Sequence, residues 1–390
     1  MVVIEGDGNG WVVSASGERR WGRYGAAGLL LRAADPADPD TPLILLQHRA
    51  VWTASGDTWA LPGGARDSHE DAATAALRET EEEAEIRPAD VTVRSERVTS
   101  RMPGTVWHRP GLDMRHIAEM MSRLRPDQKH TDDDSGSGDG SASEAGSGAP
   151  SASEAGSGDG SASGASAARP KRAIPPLVQE STDPVEWTYT TVVADAPRPL
   201  QTVPNNESLE LRWVPETEVA EMPLMPAFAA AWAAGLRSEP VELVVDVANV
   251  LGSRPNGWWK DRAGATTRLL DELGAGMPRT FDLPAGGDAA AGPDREFGWV
   301  ARAHAVIEGA ARDAEHSGPF VVHRAAGSGD DAIVELVTAL VTGMATEPDT
   351  ELSTEQNGGP RRVVVVTADR GLRDRLPGGV VVVGPRAILT

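Results

Sequence analysis

Apolar and polar positions divide the chain into segments of two periods. GRYGAAGLLLRA (22–33) and PLILLQHR are near-continuous apolar runs separated by the turn-rich DPADPDTP, and they read as two buried strands. After DTWALPGG the period lengthens to that of a helix, over DSHEDAATAALRETEEEAEI. VTVRSERV (91–98) then alternates as a half-buried strand does. From Val185, VEWTYTTVVADA and SLELRWVPETEV continue as strands, and PLMPAFAAAWAAGL closes the region as an amphipathic helix. Residues 11–236 thus predict one α+β domain, a mixed sheet between helices, built from 1–100 and 185–237.

Between those parts lies an insertion, 101–184. Asp132 to Ala168 is almost wholly Ser, Gly, Ala, Asp and Glu, with SASEAGSG occurring twice. Such a stretch buries too little apolar surface to offset its ordering entropy, so it is expected to be disordered. LDMRHIAEMMSRL (112–124) has helical periodicity, as a short docking or recognition helix would. Trp59, Trp107 and His108 read as packing residues.

Pro240 marks a second boundary. VELVVD (241–246), FVVH (320–323), RRVVVVTAD (361–369) and GGVVVVG (378–384) are short β-branched runs. RAGATTRLLDEL, EFGWVARAHAVIEGAARDA and DDAIVELVTALVTGM are read as the helices between them. Alternating strands and helices predict a three-layer α/β domain, 241–390, around a mainly parallel sheet.

A length of 390 residues accommodates these two cores. The absence of cysteine excludes disulfides, thiolate zinc sites and a cysteine nucleophile. MVVIEGDGNGWVV lacks a basic leader with an apolar core, and no run approaches 18 apolar residues, so a cytoplasmic protein with no membrane partner is expected. A net charge of −21 argues against a broad nucleic-acid surface. Phosphate would have to be met locally, through metal.

The chemistry concentrates at Gly63–Ile86. Gly63 and Gly64 after Pro62 allow a sharp exit from the preceding strand. Asp67 or Ser68 is placed to cap the following helix, with Glu70 or Asp71 completing a capping box. Glu79, Glu82 and Glu83, spaced i, i+3 and i+4, share one helix face, where like charges repel unless a cation sits among them. Hard divalent ions take such oxygen ligands.

Gly64, Glu70, Arg78, Glu79, Glu82, Glu83 and Ile86 fill the frame G-x5-E-x7-R-E-x-x-E-E-x-x-apolar, which resembles the signature box of the Nudix hydrolases. Two positions depart from it: Thr80 replaces an aliphatic residue and Glu85 the customary glycine. The resemblance implies hydrolysis of a nucleoside diphosphate linked to another group. Glu79, Glu82 and Glu83 would hold Mg2+ or Mn2+, helped by the Gly63 carbonyl. Arg78 would orient a neighbouring carboxylate, with Glu70 as a supporting ligand or ion-pair partner. Glu207 and Glu210 lie in a segment similar to the one that often adds a carboxylate beyond the box. The general base is one of Glu79, Glu83, Glu207 and Glu210.

In the second domain, carboxylates fall where strands end. Asp246 ends the first, Asp330 and Asp331 open a helix, and Asp369 follows a late strand. Ligands of such sheets bind beyond those carboxyl ends. The D-x-x-N of Asp246–Asn249 and the T-x-D of Thr367–Asp369 resemble PIN-like nucleases, including the NYN group. That resemblance implies a metal-dependent ribonuclease with Asp246, Asp330 or Asp331, and Asp369 as ligands of Mg2+ or Mn2+. Asn249 would assist, and Asp261 is a further candidate. Arg361, Arg362, Arg370, Arg373 and Arg375 are close in sequence to Asp369 and would bind phosphate. Two alternatives stand beside a nucleotide hydrolase: an enzyme that processes 5' ends of RNA and cuts the chain, and a nucleotide sensor without turnover.

Overall fold

A computed structural model describes residues 6–53, 55–108, 176–254, 257–284, 295–343 and 361–389. The expected helix at 112–124 and the low-complexity tract at 132–168 lie outside the described residues. The described part forms one compact unit.

Its first sheet has ten strands. These are β1 (Trp11–Val13), β2 (Arg19–Trp21), β3 (Ala26–Ala34), β4 (Pro42–Arg49), β5 (Trp59–Ala60), β6 (Gly63–Ala65), β7 (Thr92–His108), β8 (Val178–Gln179), β9 (Val185–Ala196) and β10 (Ser208–Pro215). The main order is β10-β4-β3-β9-β7-β1-β2, with β3 and β9 parallel and the other pairs antiparallel, so the sheet is mixed. The β1–β2 hairpin has no counterpart in the sequence-based expectation. Strand β7 also runs on through His108, into the stretch assigned to the insertion, because its second half pairs with β9 to Val185 and with β1 and β8.

The period-two pattern of β3 decides the layers. Ala27, Leu29, Leu31 and Ala33 pack against helix α1 (Ala72–Ala84), whereas Leu30 faces the opposite core with Phe228 and Trp232. Phe228 belongs to α2 (Pro226–Ala231), so helices cover both faces of the sheet. The Nudix-type sandwich expected for this region is present.

A second sheet begins with β11 (Ser238–Asp246). It adds β12 (Arg279–Pro284), β13 (Arg295–Val300), β14 (Ala303–Ile307), β15 (Phe320–Arg324), β16 (Arg362–Val366) and β17 (Val381–Val383). Strands β15, β14, β11, β16 and β17 are parallel neighbours in that order, with β13 parallel to the start of β11 and β12 antiparallel to β13. Helices α3 (Val247–Gly252) and α4 (Arg262–Ala275) pack on one face. Helices α5 (Gly329–Thr342) and α6 (Arg370–Arg373) pack on the other.

One expectation fails here: EFGWVARAHAVIEGAARDA is not a helix but supplies β13 and β14. Ala303–Ile307 is buried on both faces between β11 and β15, the setting of an inner parallel strand whose apolar run carries no period of its own.

The two sheets share a core and polar ties. Phe297 of β13 sits in the core of the first sheet, and the Trp299 indole N–H donates to the Pro39 carbonyl at 2.9 Å. Asp195 of β9 accepts from the Thr280 N–H at 2.7 Å and the Thr280 hydroxyl at 2.6 Å. Arg32 of β3 is wholly buried and donates to Glu216 at 2.8 Å, while Glu216 also accepts from the Ser238 N–H at 3.0 Å. No helix among the described residues is long and apolar enough to cross a membrane.

Candidate functional site

The Pro62–Ala65 turn reaches helix α1 because glycine lets backbones meet. A side chain on Gly63 would come within 2.4 Å of the Ala27 carbonyl oxygen. One on Gly64 would lie 2.5 Å from the Glu79 carboxyl carbon. The Gly63 N–H donates to Glu83 at 2.8 Å, which is the contact the structure gives this glycine with the glutamate face.

The cap of α1 differs from expectation. Asp71 is the N-cap, accepting from the Thr74 N–H at 2.8 Å. Asp67 is engaged elsewhere: its carboxylate accepts from the Gly6 and Gly8 N–H groups at 2.7 and 2.8 Å, and its own N–H donates to Glu70 at 3.1 Å. Asp7, Asp67 and His69 gather there as the described group whose ligand atoms all lie within 4.8 Å of one another. The hydrogen bonds of Asp67, and that of Asp7 with the Ser68 N–H, account for that cluster as a clamp on Gly6–Gly8.

Arg78 is the hub of the helix face. Its guanidinium donates to both Glu70 oxygens at 2.7 and 2.9 Å, to Glu79 at 2.8 Å and to the Ala65 carbonyl at 2.9 Å. The bonded guanidinium holds the Glu70 carboxyl below its usual range despite burial. Glu79 and Glu83 behave oppositely. Burial, reinforced by the charges of Glu82 and Glu207, pushes Glu79 up to about 7 against the pull of Arg78. Burial and the Glu79 charge push Glu83 up to about 8, against hydrogen bonds from Gln47 and Gly63. Glu82 stands half exposed.

The fourth carboxylate comes from the arm before β10. The Val203 N–H donates to the Ala84 carbonyl at 3.1 Å and the Asn205 N–H to the Glu83 carbonyl at 3.3 Å, so this arm satisfies free carbonyls at the end of α1. Glu207 thereby arrives at the face, its carboxyl raised by burial and, against the pull of Arg49, by Glu82. Glu210 does not join: it is paired side-on with Arg212 at 2.8 and 2.9 Å on an exposed surface. Sequence reasoning missed Gln47, buried in β4 beside Glu83, because it sits within an apolar strand. Thr80 is buried, its hydroxyl donating to the Ala76 carbonyl at 2.7 Å.

Four carboxylates converge while Arg78 is largely taken by Glu70. The donors are hard oxygens, three of them are raised by burial and by neighbouring carboxylates, and the buried Gln47 Oε1 has no donor among the described residues. This set fits a divalent cation.

The second sheet carries its own acidic pocket. Parallel strands β14, β11 and β16 end beneath an open cavity of about 510 Å3, lined by Asp246, Asn249, Glu308, Asp330 and Asp369. The strand order reverses around β11, the crevice where such sheets take ligands. Asp246 accepts from the Asn249 N–H at 3.0 Å and the Thr367 hydroxyl at 2.8 Å, and burial raises its carboxyl. Asn249 accepts from the Ala368 N–H at 2.8 Å. Asp330 is raised by burial and by Asp369. Glu308, hidden in a segment read as helix, accepts from the Gly329 N–H at 2.6 Å.

Several candidates lie elsewhere. Asp331 is exposed and ion-paired with Arg375. Asp261 caps α4, accepting from the Gly264 N–H at 2.9 Å. Arg361 precedes β16 and Arg362 opens it, at the opposite end of the strand from Asp369. There Arg361 binds Glu242 and Asp40, and Arg362 binds Glu296, so carboxylates occupy both. Arg370 and Arg373 are exposed on α6, near Asp369.

Residues 24–140 match the family described as the NUDIX domain. A putative 8-oxo-dGTP diphosphatase 3 of Mycobacterium tuberculosis is 40% identical over 229 residues, covering 59% of this chain and 69% of that protein. A nucleoside triphosphate pyrophosphatase/Nudix hydrolase fusion protein of Bifidobacterium longum is 46% identical over 86 residues, 22% of this chain and 18% of that protein. The crystal structure of RenU, a Nudix hydrolase from M. smegmatis, is 36% identical and covers 58% of this chain and 92% of that one, with a TM-score of 0.36. The matched family, the box with its carboxylate face and the 40% identity to a mycobacterial relative covered over 69% of its length identify the chain as a member of the Nudix family, a hydrolase of phosphoric anhydrides.

Proposed function

We propose that the chain cleaves the pyrophosphate linkage of a nucleoside diphosphate derivative, with Mg2+ or Mn2+ held by Glu79, Glu82, Glu83 and Glu207. The convergence of Glu207 on the box glutamates carries this reading, since it supplies the charge and the oxygen donors that a phosphate-bound cation needs. A bound divalent cation neutralises the linkage and lowers the pKa of its water. Arg78, fixed by both Glu70 oxygens, keeps Glu79 aimed at the face. Gly63 holds Glu83 through its N–H. The proton acceptor is drawn from Glu79, Glu83 and Glu207, because Glu210 is committed to Arg212. The test is hydrolysis of a product-resolved panel, including 8-oxo-dGTP, dinucleotides and 5'-triphosphate RNA, by the parent, Glu82→Gln and Glu83→Gln proteins. Tight nucleotide binding without turnover at saturating Mg2+ and Mn2+ would instead favour a sensor.

A second reading concerns the other sheet. The cavity bearing Asp246, Asp330, Asp369 and Glu308 supports a PIN-like, metal-dependent ribonuclease domain over 241–390, fused behind the hydrolase domain of 1–100 and 185–237. Asp246 and Asn249 would hold and orient the ligand, and Arg370 and Arg373 would supply local positive charge. Shortening of 5'-triphosphate RNA by the parent but not by Asp246→Asn supports it; equal shortening by both excludes it.

A further inference from the structure

We propose that Gln47 is a positioning residue of the carboxylate face, tying Glu83 on helix α1 to the Asn205–Ser208 arm so that Glu83 and Glu207 are held at one spacing for a divalent cation. The proposal rests on the reading of that face as a metal site.

Gln47 lies in β4, opposite Leu211 of β10 and Ala60 of β5, and is 0% exposed. An amide in such a place is costly unless it is hydrogen-bonded, so an apolar residue would serve the sheet at least as well. What Gln47 does instead is connect two sides of the face. Its Nε2 donates to the Ser208 hydroxyl at 2.9 Å, and its amide stabilises the charge of the neighbouring Glu83 carboxylate. The Ser208 hydroxyl donates to Asn205 Oδ1 at 3.2 Å, and the same oxygen accepts from the Glu207 N–H at 2.9 Å. The Asn205 N–H returns to the Glu83 carbonyl at 3.3 Å. The circuit therefore starts and ends on Glu83 and passes through the backbone of Glu207. Displacing the backbone of Glu83 or of Glu207 therefore breaks a bond of the circuit. The Gln47 Oε1, wholly buried and without a donor among the described residues, leaves one acceptor for an O–H from the ligand side.

The test measures Mn2+ binding to the full-length chain by electron paramagnetic resonance of free Mn2+, without substrate. All proteins carry Asp246→Asn, so that the second acidic pocket does not contribute. Gln47→Met keeps the volume and removes the amide that serves both Ser208 and Glu83; Ser208→Ala breaks the link to the arm. The expected result is a rise of about 10–100-fold in the Mn2+ dissociation constant for Gln47→Met and a smaller rise for Ser208→Ala. Adding Gln47→Met to Glu83→Gln should cost nothing further, because Gln47 acts through Glu83. Nucleotide hydrolysis by Gln47→Met should recover at high Mg2+, which a merely structural defect would not allow. Parent-like Mn2+ binding by Gln47→Met beside weakened binding by Glu83→Gln overturns the proposal. Should Gln47→Met not fold, parent-like binding by Ser208→Ala overturns it. Parent-like binding by Glu83→Gln overturns the metal-site reading itself, a distinct outcome.

Discussion

Gly64 and Glu79 show how closely residues are fitted at the face. A methyl group on Gly64 would lie 2.5–2.6 Å from the Glu79 carboxyl atoms, so Gly64→Ala must displace that side chain. The expected outcome is a loss of about 10–100-fold in kcat/KM with a cooperative melt retained, checked by steady-state kinetics beside thermal denaturation. Glu207→Gln should lower activity by at least about tenfold whereas Glu210→Gln should leave it within about twofold, because only Glu207 faces the box glutamates. The box was legible in the sequence because its spacing is local: a helix alone brings Glu79, Glu82 and Glu83 to one side. Choosing between Glu207 and Glu210 was not, because the irregular pairing of β10 with β4 between Ser208 and Glu210 sets which one turns inward. Glu308 stayed hidden for a related reason, since a strand end cannot be recognised inside a segment read as helix.

At the scale of elements, helix α1 carries both a well-made end and a strained one. Asp71 caps its start, so Asp71→Ala should cost about 1 kcal/mol in an equilibrium melt. Glu85 ends it at φ 56° and ψ 27°, a left-handed conformation that glycine adopts without penalty, while its N–H closes onto the Glu81 carbonyl. Glu85→Gly should therefore stabilise the protein by about 1 kcal/mol, read as a higher melting temperature; an unchanged or lower one would contradict this account of the helix end. The departure of Glu85 from the family frame was visible in the sequence, and its cost is conformational. The buried strands of the first sheet were legible because β-branched and aliphatic runs stood between turns. β13 and β14 were not, because an inner parallel strand is apolar on both faces and so resembles a buried helix segment.

At the scale of the whole molecule, the division into two sheets was legible and their union was not, since the residues that join them, apolar and charged alike, are far apart in sequence. Arg32 and Glu216 are both buried and bring the first sheet onto the start of β11. Glu216→Ala would leave the Arg32 charge buried without its carboxylate, at a cost of about 3–5 kcal/mol, measurable as a lowered denaturant midpoint. The central claim remains the carboxylate face of α1 and its cation. It is tested most directly by following nucleotide cleavage by the parent and Glu83→Gln proteins across an Mg2+ titration. The account predicts hydrolysis that rises from nothing with Mg2+ in the parent and falls by more than about 100-fold in the variant, beyond what outer partners of a metal site cost. Equal rates in the two proteins, or hydrolysis by the parent that persists when divalent ions are chelated, would contradict it.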